Sequence, residues 1–339
     1  MVVKYRVEID GNDITDKLRA EGRLISITVT DRMGEHADSV GLELDDRPPH
    51  VAWPPQGAAL RLWAGEATLY DLGTFALDAP QVSAPPHRLS VTGHSASFIA
   101  SNIGSSPTNH MRWQVWENIT VSDLANTIAQ EHGLTVKVST KAKTRTGDVV
   151  ETTDPIAGVN IGTREQNGES DLAFLSRVLE DYNAACRVKR GQLEVFYKGK
   201  LLINQVTITP QEVEGYDATL QARRNFGSVV ARWVNPKSGA SGEKKAGTAK
   251  PTLVLTELFE SATQAASAAK GQLKTGERES AILNLRMSSL RLDLPAGVEV
   301  GLSSGFRSEI AGSWVVTEAH HRIADRPRTQ LVCERKLED

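Results

Sequence analysis

Pro55-Gln56-Gly57-Ala58-Ala59-Leu60-Arg61-Leu62, followed by Gly73-Thr74-Phe75, is the stretch that decides the fold, because a second version of it comes later in the chain. There it reads Pro295-Ala296-Gly297-Val298-Glu299-Val300, followed by Gly312-Ser313-Trp314. Each version is a Pro-x-Gly turn, an alternating apolar pair, and a Gly-x-aromatic step that opens the next strand. The two glycines are 16 residues apart in the first and 15 in the second. Upstream, Leu42-Glu43-Leu44-Asp45 is echoed by Leu290-Arg291-Leu292-Asp293. Downstream, both versions meet a Pro-containing turn (Pro85-Pro86 and Pro327) and a return strand (Leu89 with Val91, Leu331 with Cys333). Order and near-equal spacing point to an internal duplication of a β domain.

Working outward, residues 1–104 form the first domain. Tyr5, Val7 and Ile9 alternate up to the turn Asp10-Gly11-Asn12-Asp13, and Leu24 to Thr30 is rich in β-branched residues. Short strands separated by Pro and Gly clusters predict a barrel or sandwich. Residues 105–205 change character. Thr120-Val121-Ser122-Asp123 reads as a capped helix start, with Val121, Leu124, Ala125 and Ile128 on one face and Gly133 as the stop. A second helix is expected after Glu169-Ser170-Asp171, then a hairpin from Cys186–Val188 to Leu193–Phe196 turned at Arg190-Gly191. Residues 206–339 return to strands. Within them, 237–251 has no apolar period and reads as a mobile loop, and Ala262, Ala265, Ala266, Ala269 and Leu273 mark an Ala-rich helix over about 261–275, ended near Gly276. The fold class is therefore mainly β with an α/β insert: two similar barrel-like β domains flanking a small α/β region.

A length of 339 residues accommodates two or three such domains. The net charge of -3, with acids and bases interspersed, gives no field that would draw the chain to nucleic acid or an anionic membrane, so its partners are expected to be proteins. No apolar run reaches the roughly 20 residues of a membrane span, and the start has no signal-like segment, so synthesis in the cytoplasm is expected. Cys186 and Cys333 lie far apart in strand-like segments and read as small apolar residues.

Chemistry is hard to find. His94, His110 and His132 are isolated, Glu131-His132 lacks a second histidine at helical spacing, and His320-His321 points to opposite faces of its strand. There is no Gly-x-Ser-x-Gly elbow, and Gly239-Ala240-Ser241-Gly242 falls in the loop. Gly301-Leu302-Ser303-Ser304-Gly305 lies in a strand and turn, the wrong context for a phosphate cradle. Lys237, Lys244, Lys245 and Lys250 have no interleaved aromatic for base stacking. No residue is singled out as catalytic, cofactor-binding or metal-ligating, no cofactor is called for, and interface residues stay unassigned. The expectation is a non-enzyme.

These segments resemble the phage late control protein D family, the baseplate hub of contractile tails and phage-tail-like bacteriocins, related in fold to the hub part of the type VI secretion VgrG spike. The resemblance runs through Ile14-Thr15-Asp16-Lys17-Leu18, Leu24 to Asp46, Pro54 to Ala58, Gly73-Thr74-Phe75, Pro85 to Leu89, Asn167 to Arg177 and Trp314 to His321. The 141–160 stretch is longer than the family pattern leads one to expect. The resemblance implies a homotrimer whose two barrels per chain form a pseudo-sixfold ring joining the central spike to the tail tube or tube-initiator protein. Tape-measure and other baseplate proteins are further implied partners, with no membrane and no specific nucleic acid. Assembly would be into the baseplate of a virion or tailocin. The competing readings are a tail-associated cell-wall hydrolase, which needs a poised carboxylate or metal in the insert, and a nucleic-acid-contacting regulator, which the balanced charge disfavours.

Overall fold

The computed structural model describes residues 3–20, 22–34, 37–95, 111–138, 141–143, 149–151, 156–182, 184–189, 191–197, 206–220, 226–279, 281–323 and 326–335. The first β unit comprises β1 (Lys4–Ile9), β2 (Asn12–Asp13), the short α1 (Thr15–Ala20), β3 (Leu24–Arg32), β4 (Ser39–Asp45), β5 (Ala59–Gly65), β6 (Tyr70–Leu77), β7 (Gln81–Ser83) and β8 (Arg88–Ser95). Alternation puts one side of each long strand inside, so Ile27, Val29, Val40, Leu42, Leu60, Leu62, Phe75, Leu89 and Val91 share one core.

The insert follows with β9 (Met111–Trp116), α2 (Val121–Glu131), β10 (Thr135–Val138), β11 (Lys141–Lys143), β12 (Val149–Glu151), β13 (Arg164–Ser170), α3 (Asp171–Glu180), β14 (Ala184–Lys189) and β15 (Gln192–Tyr197). Both main helices start where side-chain caps allow. Thr120 Oγ1 accepts from the Asp123 N–H and Ser170 Oγ from the Ala173 N–H, each satisfying a donor the first turn leaves free. Gly133, at φ +66°, ends α2. The apolar faces of α2 and α3 pack with β14 and β15 in a separate core around Leu124, Ile128, Phe174 and Leu175. Within 141–160, β11 and β12 pair with each other.

The chain then forms β16 (Val206–Ile208) and β17 (Val213–Leu220). It leaves for a small unit of β18 (Ser228–Val234), β19 (Ser241–Gly247), β20 (Thr252–Phe259) and α4 (Ala262–Glu279). It finishes with β21 (Ala281–Met287), β22 (Glu299–Leu302), β23 (Gly312–Arg322) and β24 (Arg328–Arg335) around a third core centred on Trp314.

Two sequence expectations in this region are corrected. The supposed mobile loop 237–251 contains β19, which pairs along its whole length with β18. An edge strand is held by backbone hydrogen bonds and needs no apolar period of its own; β18 and α4 supply the core here through Val229, Ala231, Ala265 and Ala269. Nor does α4 stop near Gly276. A Cβ there would lie 2.7 Å from the Phe226 ring, so this glycine makes room for a packed aromatic inside a helix that continues to Glu279.

The two β units match strand for strand. In both, five strands run β3-β4-β8-β6-β5 or β17-β21-β24-β23-β22 with the same pairings. Leu60 faces Phe75 and Leu62 faces Gly73; Val300 faces Trp314 and Leu302 faces Gly312. Gly57 N–H donates to Leu77 O at 2.7 Å, and Gly297 N–H to Val316 O at 2.7 Å. Gly73 and Gly312 have φ of +114° and +115°, a backbone that glycine adopts without cost. β3 and β17 carry a register shift at the same place, between Leu24 and Ser26 and between Val213 and Gly215. Two echoes fail this test: on the return strand Leu331 takes the place of Val91 and Thr329 that of Leu89, a slip of two residues from the sequence match. Register makes β21, not Leu290-Arg291-Leu292-Asp293, the equivalent of β4; Leu290 and Leu292 instead pack onto the first unit's core.

The units are joined rather than merely adjacent. β23 pairs antiparallel with β3, from Glu318 opposite Arg32 to Arg322 opposite Thr28, giving one continuous fourteen-stranded sheet. Among the described residues no helix is long and apolar enough to cross a membrane.

Candidate functional site

The β3–β23 junction has two unused counterparts. In the second unit, His320-His321-Arg322 lies beside Gln330-Thr329-Arg328 of β24 and offers its other edge to β3. In the first unit, Gln81-Val82-Ser83 of β7 lies beside Ser90-Leu89-Arg88 of β8 in the same register, and among the described residues no strand takes its other edge. The acceptor edge recurs too. β17 stands to β21 as β3 stands to β4, and its outer edge is open among the described strands. Exposed apolar side chains fall on both edges: Val82 on β7, and Tyr216 and Leu220 on β17. The occupied junction shows what such an edge does. Besides the backbone ladder, Thr30 and His320 hydrogen-bond at 3.1 Å and Arg32 pairs with Glu318.

Among the described residues, two buried groups of titratable side chains bear on the candidate site, and a further one joins Arg164 to Asp181 and Glu257. In the insert, the Asp171 carboxylate accepts from Arg112 Nε at 2.5 Å and Nη2 at 2.6 Å, from Gln166 Nε2 at 2.9 Å, and lies 2.8 Å from His132 Nε2. Arg112 also pairs with Glu131. Burial disfavours the charge on Asp171, but the hydrogen bonds from His132, Arg112 and Gln166 outweigh it and hold the group well below the usual carboxylate range. Glu131, His132 and Asp171 place ligand-type atoms within 4.8 Å of one another, yet the donor set does not fit a metal. Both Asp171 oxygens already receive donors, and a guanidinium supplies the positive charge. His132 is isolated in sequence because its partner Asp171, and the Arg112 that shares that carboxylate, are distant along the chain. No spacing rule would have found them.

The second group lines a cleft of about 670 Å³ where the insert meets both β units. Lys189, at the end of β14, pairs with Asp31 of β3 and lies 3.8 Å from Asp38. Arg187 Nη1 donates to Ala296 O at 2.8 Å, tying the insert to the second unit. Burial, with Asp31 adding repulsion, pushes Asp38 up to about 7. Burial pushes His321 down to about 4; its ring is 3.0 Å from Thr329 Oγ1. His320 and His321 do face opposite ways, one half-exposed at the junction and one buried in the cleft. Of the remaining sequence candidates, His94 lies 3.4 Å from Asp78 and His110 lies outside the described residues. Both cysteines are buried and unbridged, and burial pushes the Cys333 thiol well above its ordinary value.

Comparison with known proteins places the chain in a family. The model of the phage tail baseplate hub (GPD) family matches residues 104–327. A probable baseplate hub protein of Escherichia phage 186 is 25% identical over 386 residues, covering 99% of this chain and 93% of its own. Among solved structures, the 43 kDa tail protein of prophage MuSo2 from Shewanella oneidensis superposes with a TM-score of 0.71 at 13% identity, covering 98% of each chain. An Escherichia coli type VI secretion component, c3393, described as similar to the T4 tail proteins gp27 and gp5, superposes with a TM-score of 0.54 at 12% identity, covering 100% of this chain and 78% of that one.

Proposed function

The chain belongs to the phage tail baseplate hub family, and on that premise we propose that it works as a non-catalytic ring component: three copies, two β units each, joining the central spike of a contractile tail or tailocin to the tail tube. The observation that carries this reading is the pair of open edges matching the occupied β3–β23 junction. Transferring that register predicts that β7 of one chain lies on β17 of the next, with Gln81 opposite Thr219, Val82 opposite Ala218 and Ser83 opposite Asp217. A head-to-tail contact of this kind closes into a ring when its rotation suits and otherwise makes a filament. Because the contact inside the chain and the contact between chains use equivalent strands, three copies give six near-equivalent positions. That is the arrangement needed where a threefold spike meets a sixfold tube. Binding surfaces then carry the function, with the spike and tube proteins as the partners.

The test is the mass of the full chain, alone and co-expressed with its spike protein. Three copies are expected, reduced to one by Val82→Asp, which sets a carboxylate against Ala218 and the apolar Tyr216 and Leu220 on the same face of β17 and leaves the exposed edge otherwise intact. A stable monomer under every condition, or a trimer indifferent to Val82→Asp, would overturn the reading.

A further inference from the structure

The outward face of the β9–β13 ribbon takes no part in the ring contact just described. β9 alternates sharply. Arg112, Gln114 and Trp116 point inward, while Met111, Trp113 and Val115 point out. Trp113 is 80% exposed, more than any other large apolar side chain among the described residues. The inward side chains hold the ribbon firmly. Arg112 is clamped on Asp171, and Trp116 stacks on Phe174 with ring centroids 6.0 Å apart while its Nε1 donates to Gln166 Oε1 at 3.0 Å.

The outward indole has its own seat. Opposite it β13 shifts register between Asn167 and Glu169, and Gly168 sits there at φ +67°. A Cβ at Gly168 would come within 2.9 Å of Trp113 Cζ2, so glycine both makes the shift and clears space for the ring. A mobile, solvated tryptophan would need neither device. β9 pairs only with β13 among the described strands, which leaves its other edge open.

The charge around this row is lopsided. Glu165 stands opposite Val115 and Glu117 follows at the end of β9; both are exposed, and among the described residues neither has an ion-pair partner. Arg177, the nearby cation, is engaged by Glu169 and by the Glu165 carbonyl.

We propose that the open edge of β9, with Met111, Trp113 and Val115 as its apolar face and Glu165 and Glu117 as its acidic end, docks an extended basic segment of a partner protein as an added third strand. The ladder supplies affinity, alternate apolar residues of the segment cover the tryptophan row, and its Lys or Arg side chains meet the two carboxylates.

The test uses the full chain carrying 5-fluorotryptophan, with the Trp113 resonance identified through Trp113→Phe. The probe is a synthetic alternating Val-Lys peptide of about ten residues, a typical strand length, against a Val-Glu peptide of equal length. The basic peptide should shift the Trp113 signal saturably and slow hydrogen exchange in β9, whereas the acidic one should do neither. Trp113→Ala should weaken binding by about 30-fold, as loss of a central aromatic anchor does. Glu165→Lys with Glu117→Lys, which disturbs no packing, should reverse the preference between the peptides. Equal binding of both peptides, saturation unaffected by either variant, or a Trp113 signal already shielded in a homo-oligomer of the chain would overturn the proposal.

Discussion

Asp38→Asn and His321→Gln should give this protein opposite responses to pH. Both groups face the cleft where the insert meets the β units, together with Asp31, Lys189, Arg187, Asp293 and, behind them, His320. Asp38 is raised from 3.8 to about 7, so between about pH 4 and 7 the folded chain keeps a proton that the unfolded chain has released. On this account stability is greatest below pH 4 and is lost as pH rises through 7. At about 1.4 kcal/mol per pH unit the loss comes to about 4 kcal/mol. His321 is lowered from 6.5 to about 4, so over that interval the unfolded chain binds the extra proton and stability falls as pH falls, by about 3 kcal/mol. The two slopes oppose each other from pH 4 to 6.5, so this pair together contributes almost nothing there and a decline of about 1 kcal/mol on the way to pH 8. In Asp38→Asn the side-chain amide oxygen can still accept the Arg32 N–H, so the substitution removes the charge with little loss of bonding. It should stabilise by about 4 kcal/mol more at pH 8 than at pH 4 and uncover the rising His321 slope. His321→Gln should leave the falling Asp38 slope alone. Urea unfolding followed by circular dichroism from pH 4 to 8, reading the transition in which the cleft opens, measures all three. If Asp38→Asn kept the wild-type pH profile, the charge imbalance around Lys189 would not be what the geometry implies.

Gly73→Ala and Gly312→Ala should cost about the same, in the range of about 1–3 kcal/mol each, since both force an L-residue to φ near +115° and neither new methyl meets a close neighbour; urea midpoints of the two variants compare them directly. Asp171→Asn should cost about 1–3 kcal/mol, because Glu131 still balances the Arg112 charge while an amide NH2 is set against the donors of Arg112 and Gln166; the loss should show as faster hydrogen exchange in α2, α3 and β9, with the β24 amides unchanged.

What was legible in the sequence was whatever depends on local pattern. The Pro-x-Gly turns and the Gly-x-aromatic steps specify backbone geometry directly, and they reappear as matching hydrogen bonds and φ angles. Thr120 and Ser170 announce their helices because a cap is a contact over three residues. Leu290-Arg291-Leu292-Asp293 misled because apolar alternation also suits a segment that reaches across to a neighbouring core. The 237–251 stretch misled in the opposite direction, since β19 is held by a backbone ladder and gives no side-chain signal. The Asp171 and Lys189 groups were illegible for a third reason. Each joins residues from separate elements, and only the fold brings them together.

Similarity and difference between the two β units are distributed in a way that bears on assembly. They agree in the five-strand frame that carries the β3–β23 junction, down to the register shift in β3 and β17. They part at the strand beyond, where β1 lies antiparallel to β5 but β16 lies parallel to β22. They part also in what is attached: only the second unit carries β18 to β20 with α4, and the insert occurs once per chain. A ring of three chains would therefore repeat the five-strand frame six times and every other feature three times. In such a ring the need to close the sheet would constrain the frame, since a one-residue slip at any junction would turn its side chains to the wrong face. The attachments of such a ring would escape that constraint, and there the chain would be free to carry surfaces used three times rather than six, among them the tryptophan row of β9.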